Sequence, residues 1–264
     1  MKTWAVANQK GGVGKTTTAV TLAGLLAQRA HPTLLVDMDP HGSLTAYFRL
    51  DPESVEPSVY HLFQSEPAVA LFDAAIRPTG TEDLFLLPAS TAMATLDRQL
   101  GAREGMGRVL GRWLKLLAER FEFVIVDCPP TLGVLMVNAL SAGDRLIIPV
   151  QTEFLALKGL ERMLRTLVMI ERARKNPLPY LIVPTLYDQR THAAREALAQ
   201  LQAQHGGQLW SGVIPVDTQL REASQKARPL SSLSLASRGV VAYSTLLQAL
   251  LDEAPAVEPA ARTA

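Results

Sequence analysis

The chain has 264 residues, of which 48% are hydrophobic, so it is long enough to bury a large core in a single domain. Its 26 Lys and Arg nearly balance 25 Asp and Glu, which excludes a strong overall field for nucleic acid or membranes. One cysteine excludes a disulfide framework, and apolar runs such as 146–150 are too short to span a bilayer. The N-terminal residues lack signal-peptide character, so we expect a globular cytoplasmic protein.

Short apolar runs that favour strands alternate with longer helical patterns. The predicted strands are 3–7, 33–36, 84–87, 123–126, 145–150, 180–183 and 209–214. The predicted helices between them are 16–28, 106–120, 132–142, 154–174, 192–204 and 240–251. The alternation predicts an α/β fold, a single doubly wound and mostly parallel sheet with helices on both faces, over residues 1–253. The Ala- and Pro-rich residues 254–264 are predicted to be a disordered tail.

A glycine-rich loop follows the first predicted strand and leads directly into a helix. It reads Gln9-Lys10-Gly11-Gly12-Val13-Gly14-Lys15-Thr16-Thr17. Such a loop wraps a polyphosphate with its backbone N–H groups, so residues 11–17 are predicted to bind a nucleotide. Lys15 is expected to reach the β- and γ-phosphates, and the Thr16 hydroxyl to ligate Mg²⁺. Gln9 stands where the strict P-loop pattern has its first glycine, and the alternative is a turn that binds nothing.

Acidic residues follow two of the predicted strands. One strand runs into Asp37-Met38-Asp39-Pro40-His41-Gly42-Ser43, and another runs into Asp127-Cys128-Pro129-Pro130. Doubly wound folds bind ligands at this edge of the sheet. Asp39 is a candidate for orienting the attacking water, and Asp37 for supporting either the Mg²⁺ shell or the loop. Asp127 is expected to hold Mg²⁺ through a water. The alternatives are that Asp37 caps a short helix at 43–48 and that Asp127 is a solvated strand end.

These three segments resemble the deviant Walker A, switch I and switch II motifs of the ParA/MinD family of ATPases. The resemblance covers roughly residues 3 to 252 and implies that ATP and Mg²⁺ are the cofactors. It implies that Lys10 crosses a dimer interface and touches the phosphates of the partner subunit, so that a homodimer sandwiches two ATP molecules. It also implies that Asp39 is the hydrolytic residue. For Lys10 taken alone, a solvated surface lysine is the alternative.

The second half of the chain resembles the short chromosomal ParA (Soj) branch at 185–191 and 214–223. The resemblance implies adenine contact by Pro215 and Val216, although Pro215 is equally well an ordinary strand stop. It also implies nonspecific, salt-sensitive DNA binding. The residues that it assigns to DNA are Arg190, Arg221, Lys226 and Arg228. The segment 223–228 departs from the branch, because it keeps basic charge but loses the glycine.

The resemblance predicts a Mg²⁺-dependent ATPase that forms an ATP sandwich dimer. Slow hydrolysis, stimulated by a ParB-like or other adaptor protein, is expected to partition or position DNA or a protein cargo in a bacterial cell. We expect no membrane binding, because the C-terminal residues lack the basic amphipathic helix of MinD. We also expect no operator-binding helix-turn-helix.

Two other functions remain open at this point. The residues 4–9 and 39–43 also resemble ParC-type proteins, which place chemotaxis arrays at cell poles. Such a protein would position an array through protein contacts without DNA, so nucleoid and polar placement are both open. The other rival is a metabolic P-loop enzyme that transfers phosphate to a small molecule.

Overall fold

A seven-stranded sheet forms the centre of the computed structural model, which describes residues 1–100, 105–174 and 176–252. The strands are β1 (Lys2–Val6), β2 (Thr33–Asp37), β3 (Arg77–Pro78), β4 (Leu84–Leu87), β5 (Phe123–Asp127), β6 (Arg145–Gln151) and β7 (Tyr180–Thr185). Their order across the sheet is β3-β4-β2-β5-β1-β6-β7. All neighbouring strands pair in parallel except β3 and β4. The parallel pairs place the carboxyl ends of β1, β2 and β5 at one edge of the sheet.

Helices cover both faces of the sheet. In chain order they are α1 (Lys15–Gln28), α2 (Ser43–Tyr47), α3 (Val59–Gln64), α4 (Val69–Ala75), α5 (Leu96–Leu100), α6 (Val109–Lys115), α7 (Val134–Ala142), α8 (Phe154–Ala173), α9 (His192–His205), α10 (Thr218–Glu222) and α11 (Arg238–Asp252). Within the described ranges, none of them combines the length and the apolar content needed to cross a bilayer.

The hydrophobic core consists of two layers, one on each face of the sheet. Successive residues of a central strand enter different layers: Leu34 lies in the layer that contains Trp113 of α6, whereas Leu35 lies in the layer that contains Leu22 of α1. The same split separates neighbouring residues of β5 and β6. Strands that are buried on both faces must be apolar at successive positions, which is the pattern observed in the sequence. The predicted doubly wound α/β fold is therefore confirmed.

The segment 209–214 is not a strand, so that prediction is wrong. Leu209 forms one isolated bridge with Ile182, and further along, the N–H of Ile214 bonds the carbonyl of Pro184. Pro184 has no N–H to donate, so a continuous ladder along β7 is not available to this segment. Gly212 also lies directly against the indole ring of Trp210, because the chain turns there.

One other prediction needs correction, and one short strand was missed. The predicted helix 106–120 is a 3₁₀ turn at Met106–Arg108 followed by α6, and residues 116–120 form turns with hydrogen bonds to the third preceding residue. The edge strand β3 was not predicted, because two residues carry no periodic pattern. The predicted tail, 254–264, lies outside the described residues.

A buried asparagine joins α6 to α7. The amide nitrogen of Asn138 donates to the carbonyls of Met106 and Val134, at 2.6 and 2.7 Å. Its oxygen accepts from the N–H of Leu110 at 3.0 Å. The side chain satisfies backbone groups that cannot reach water, so its polarity is structural.

Replacing this asparagine by leucine is expected to lower the free energy of unfolding by roughly 2–3 kcal/mol, because the buried N–H of Leu110 loses its acceptor. Urea denaturation of Asn138→Leu measures the change. Gln202→Leu, the same type of replacement on the exposed face of α9, is the control and should leave stability within about 0.5 kcal/mol. Equal effects of the two substitutions would contradict the assignment.

Candidate functional site

The loop between β1 and α1 has the backbone conformation of an anion cradle. Gly12 and Gly14 have φ angles of +77° and +89°, which side-chain-bearing residues rarely adopt. A Cβ atom at Gly11, Gly12 or Gly14 would meet no atom within 4 Å, so the loop faces open space. No side chain caps the first turn of α1, and no acidic residue lies in that turn. The N–H groups and the positive end of the helix dipole are thus available to a phosphate.

Two polar side chains hold this loop in place, one from β7 and one from the residues between β1 and the glycines. Thr185, the last residue of β7, donates its hydroxyl to the carbonyl of Val13 at 2.8 Å. Asn8 accepts the N–H of Lys10 at 3.1 Å and donates to the carbonyl of Pro149 at 2.8 Å. Sequence reasoning named neither Asn8 nor Thr185 as a site residue. Their position at the carboxyl end of an apolar strand is the signal that would have indicated them.

The two lysines of the loop have different environments. Lys15 is buried, and its ammonium group donates to the carbonyl of Lys10 at 3.3 Å. Lys10 forms an ion pair with Glu153, just before α8, and about a quarter of its side chain is exposed. A Cβ atom at Gly159 of α8 would come within 3.0 Å of the Lys10 Cβ, so this helix supports the Lys10 side chain. Lys10 is therefore a partnered lysine. Glu153 was not among the predicted site residues.

Asp127 and Thr16 form the part of the site that fits a metal ion. The Thr16 hydroxyl donates to Asp127 Oδ2 at 2.6 Å, whereas the buried Oδ1 has no hydrogen-bond partner among the described residues. Burial and, to a smaller extent, the neighbouring Asp37 carboxylate raise the pKa of Asp127 to about 8. When this carboxyl group is ionised, the protein neutralises its negative charge only in part, and a bound cation would supply the missing positive charge.

The donor set fits Mg²⁺ in particular. Hydroxyl and carboxylate oxygens are the ligands that this ion prefers, and it commonly keeps several waters with only one or two protein carboxylates. No group of three or more His, Cys, Asp or Glu side chains gathers as a metal cage anywhere in the described ranges. Thr16 and Asp127 would therefore hold a hydrated ion beside bound phosphates.

The two aspartates at the carboxyl end of β2, Asp37 and Asp39, have separate partners. Asp37 accepts three hydrogen bonds, from the Thr45 N–H at 2.8 Å, the Thr45 hydroxyl at 2.7 Å and the Asp39 N–H at 3.1 Å. Burial raises the pKa of Asp37 to about 7. Of the two roles proposed for Asp37, these contacts favour holding the loop. Asp39 accepts from the N–H and ring Nδ1 of His41, at 3.0 and 2.9 Å.

An apolar pocket of about 310 Å³ adjoins the loop. It is lined by Gly12, Gly14, Thr17, Thr185, Leu186, Ile214, Pro215, Asp217, Leu220, Arg221 and Tyr243. A narrow apolar pocket next to a phosphate cradle suits the planar base of a nucleotide. Pro215 lies in it, as expected of an adenine contact, whereas Val216 lines an adjoining cavity of about 900 Å³. Tyr243 was missed, because α11 has no local sign of a ligand.

The four basic residues that were assigned to DNA differ in their surroundings. Arg190 makes two hydrogen bonds to Asp188, at 2.9 and 2.7 Å, and this contact lowers the pKa of Asp188 to about 2. Arg221 lines the apolar pocket of about 310 Å³ beside the glycine loop. Lys226 and Arg228 are exposed. The charge of Arg190 is therefore paired with that of Asp188. Arg221 contributes to the pocket as well as to the protein surface.

Together, the fold and the loop define a P-loop ATPase whose glycine-rich loop carries a second lysine. Comparisons with known proteins agree. A family model described as an AAA domain matches residues 1–179. The sporulation initiation inhibitor protein Soj of Bacillus subtilis is 33% identical over 240 residues, which is 90% of this chain and 94% of that protein. The chromosome partitioning protein ParA of Myxococcus xanthus is 31% identical, over 98% and 91% of the two chains. The chain belongs to the ParA/MinD family of ATPases and is close to the Soj proteins.

Solved structures have the same fold. A Mycobacterium smegmatis protein named cobyrinic acid a,c-diamide synthase, with a bound ATP analogue and magnesium, is 34% identical with a TM-score of 0.81, over 95% of this chain and 94% of that one. An ATP complex of Cyanothece McdA has a TM-score of 0.84 at 23% identity, over 98% and 99% of the chains, which supports the fold.

The Thr45 hydroxyl is expected to be important for the loop that follows β2. It donates to Asp37 and also accepts the N–H of Ala89 at 2.8 Å. Thr45→Val keeps the shape but leaves both groups short of a partner, so unfolding should become easier by about 2–3 kcal/mol. Thermal or urea denaturation measures this, and Thr45→Ser, which keeps the hydroxyl, should recover most of the loss. A valine variant as stable as the serine variant would contradict this role.

Proposed function

We propose that this chain is a Mg²⁺-dependent ATPase that dimerises with ATP and positions DNA or a protein cargo. The observation that carries the proposal is the contact between Thr16 and Asp127 beneath the glycine loop, with one buried carboxylate oxygen open. Bound Mg²⁺ would neutralise charge on the phosphates. The relatives named as partitioning proteins support the same activity.

In this proposal, each side chain of the site has one task. The backbone of residues 11–17 binds the phosphates, and Lys15 contacts the terminal ones. The apolar pocket with Pro215 holds the adenine. Asp39 orients the attacking water, and Asp37 keeps the loop that carries Asp39 in place through Thr45. Positioning and charge compensation are sufficient, because phosphoryl transfer requires little covalent chemistry from the protein.

Lys10 is the residue that makes the dimer specific to ATP in this proposal. Its ion pair with Glu153 is partly exposed, so the pair contributes little stability and Lys10 is readily released. Transfer of the ammonium group to phosphates bound by the partner would bring two subunits together around two nucleotides. Hydrolysis would remove that contact and return the monomer, and an adaptor protein would set its rate.

Lys15→Ala is expected to weaken ATP binding at least about 100-fold, because the buried ammonium group is the lysine closest to the cradle. Calorimetric or fluorescent-nucleotide titration measures the affinity. Lys158→Ala, which removes an exposed lysine paired with Glu161, is the control and should bind ATP normally. Similar losses in both variants would contradict the role of Lys15.

Asp39→Ala is expected to bind ATP but not to hydrolyse it, so the ATP dimer should accumulate. Light scattering should give twice the monomer mass with ATP and the monomer mass with ADP. His41→Ala, which removes the partner of Asp39 but keeps the carboxylate, is the control and should retain hydrolysis. An Asp39→Ala protein that stays monomeric with saturating ATP would overturn the dimer proposal.

DNA binding separates the two positioning functions, and the trapped Asp39→Ala dimer is the form in which to measure it. We expect binding with ATP that weakens with salt, and loss of Lys226 or Arg228 should each reduce the salt slope by about one. Arg190→Ala is the matched control, with a smaller effect because Asp188 already compensates that charge. A confirmed ATP dimer that binds no DNA would instead support positioning through protein contacts alone.

The synthase name of the Mycobacterium smegmatis relative raises the metabolic alternative. An enzyme that takes an amide nitrogen from glutamine through a cysteine nucleophile needs an accessible thiolate. The one cysteine of this chain, Cys128, is fully buried, and burial raises the pKa of its thiol. These properties favour the positioning ATPase over glutamine-dependent amide synthesis.

A further inference from the structure

Two side chains at the end of α2 reach across to the basic segment at residues 223–228. The Tyr47 hydroxyl donates to the carbonyl of Arg228 at 2.9 Å, and the Arg49 guanidinium donates to the carbonyl of Gln225 at 2.5 Å. The two accepting carbonyls lie on either side of Ala227. We refer to Tyr47 and Arg49 together as the tether. Neither residue belongs to a nucleotide motif.

The backbone is strained at both ends of the tether. Ala227 has a φ angle of +52° and Arg49 has a φ angle of +64°, in the left-handed region that favours glycine. Such residues persist only where their surroundings hold them in place. The carbonyl contacts from the tether lie on either side of Ala227, so they hold a turn that glycine would adopt without strain.

Arg49 provides a second indication that its side chain matters. The N–H of Arg49 bonds the carbonyl of Ala46, and the N–H of Leu50 bonds the carbonyl of Thr45, which is the hydrogen-bond pattern of a glycine-terminated helix. Glycine would serve the backbone better at this position. The arginine is strained in this conformation, but its guanidinium group donates a hydrogen bond to the Gln225 carbonyl.

The tether connects the basic segment to the loop of Asp39. At the start of this path, the Asp37 carboxylate holds Thr45 of α2, and the Asp39 loop lies between them in the chain. At the other end of α2, Tyr47 and Arg49 hold the segment that carries Lys226 and Arg228. A short series of hydrogen bonds through α2 therefore connects the Asp39 loop to the exposed basic residues of the 223–228 segment.

We infer that Tyr47 and Arg49 are positioning residues that couple the Asp39 loop to the 223–228 segment, so that the basic surface is ordered in the ATP state. The inference rests on the proposed function, in which that surface binds a polyanion. It adds the route by which nucleotide state reaches the surface. The tether touches no residue of the glycine loop among its hydrogen bonds, so ATP affinity should not depend on it.

Hydrogen exchange tests the coupling without requiring DNA. The measurement compares amides of 223–228 without nucleotide, with ADP and with ATP, in the Asp39→Ala protein and in the same protein with Tyr47→Phe or Arg49→Gly. We expect ATP to slow exchange of the segment by about threefold to tenfold, the range for one or two net hydrogen bonds, and the tether variants to lose this difference. Ala227→Gly keeps both carbonyl contacts and is the control that should retain it.

Arg49→Gly separates coupling from a structural role. Glycine relieves the left-handed strain, so the melting temperature should stay the same or rise while the ATP-dependent protection disappears. A variant that melts lower and exchanges faster in all three states would show that Arg49 is only structural, and would overturn the inference. A segment that shows no ATP-dependent protection even with the tether intact, while light scattering shows the dimer, would also overturn it.

DNA titration with the same variants gives the functional measure. The affinity ratio between ATP and ADP should fall about threefold to tenfold in Tyr47→Phe and Arg49→Gly, with ATP affinity unchanged. If the intact protein binds no DNA, the DNA part of the proposed function fails, and the exchange data alone decide the coupling. Loss of ATP-dependent protection in the tether variants would then still support the inference, and retention of that protection would overturn it.

Discussion

Two buried carboxylates that neighbouring strands place side by side are the constraint on which this site depends. Asp37 and Asp127 are the final residues of β2 and β5 and face each other in the strand register. Burial opposes the ionisation of both groups, and repulsion from Asp37 adds to this at Asp127, so the pKa of each is raised. Each carboxylate needs donors or positive charge nearby. The structure supplies Thr45 to Asp37, and Thr16 and the charge of Lys15 to Asp127.

The two carboxylates are compensated to different extents, and this difference assigns their roles. Asp37 has hydrogen bonds to both oxygens and lies entirely within the protein, so it anchors α2 and the loop before it. Asp127 keeps one buried oxygen without a partner at the edge beside the glycine loop. A hydrated cation would stabilise the ionised Asp127 carboxylate, because its positive charge would take the place of the missing hydrogen-bond donors.

The contacts around the glycine loop are buried, whereas those nearer the molecular surface are exposed and weaker. Thr185 and Asn8 hold the glycine loop through buried or partly buried hydrogen bonds, which keep the cradle rigid. The ion pair between Lys10 and Glu153 is partly exposed, and such pairs contribute about 0–1 kcal/mol, so Lys10 can exchange partners at small cost. The bonds made by Tyr47 and Arg49 are exposed as well. Buried contacts therefore hold the glycine loop, and weaker, exposed contacts lie where the proposed dimer and cargo surfaces would form.

The sequence by itself determined the features that local chemistry controls. The left-handed conformations at Gly12 and Gly14, the hydroxyl of Thr16 at the start of α1, and Asp127 at the end of an apolar strand all follow from residue type and spacing over a few positions. Buried strands that are apolar at successive positions predicted the doubly wound sheet, because both faces of such a sheet are covered. These features were sufficient for the fold class and for the family.

Only the tertiary structure decided which distant groups complete the site. Glu153 reaches Lys10 across 143 positions in the chain, and Tyr243 reaches Thr18 across 225. It also decided that Asp37 anchors Thr45 and that 209–214 does not continue the sheet beside Pro184. A hydrogen bond depends on the final positions of two groups, and those positions are set by how strands and helices pack. Spacing along a chain specifies local backbone conformation, whereas partners far apart in sequence are specified only when the whole core has formed.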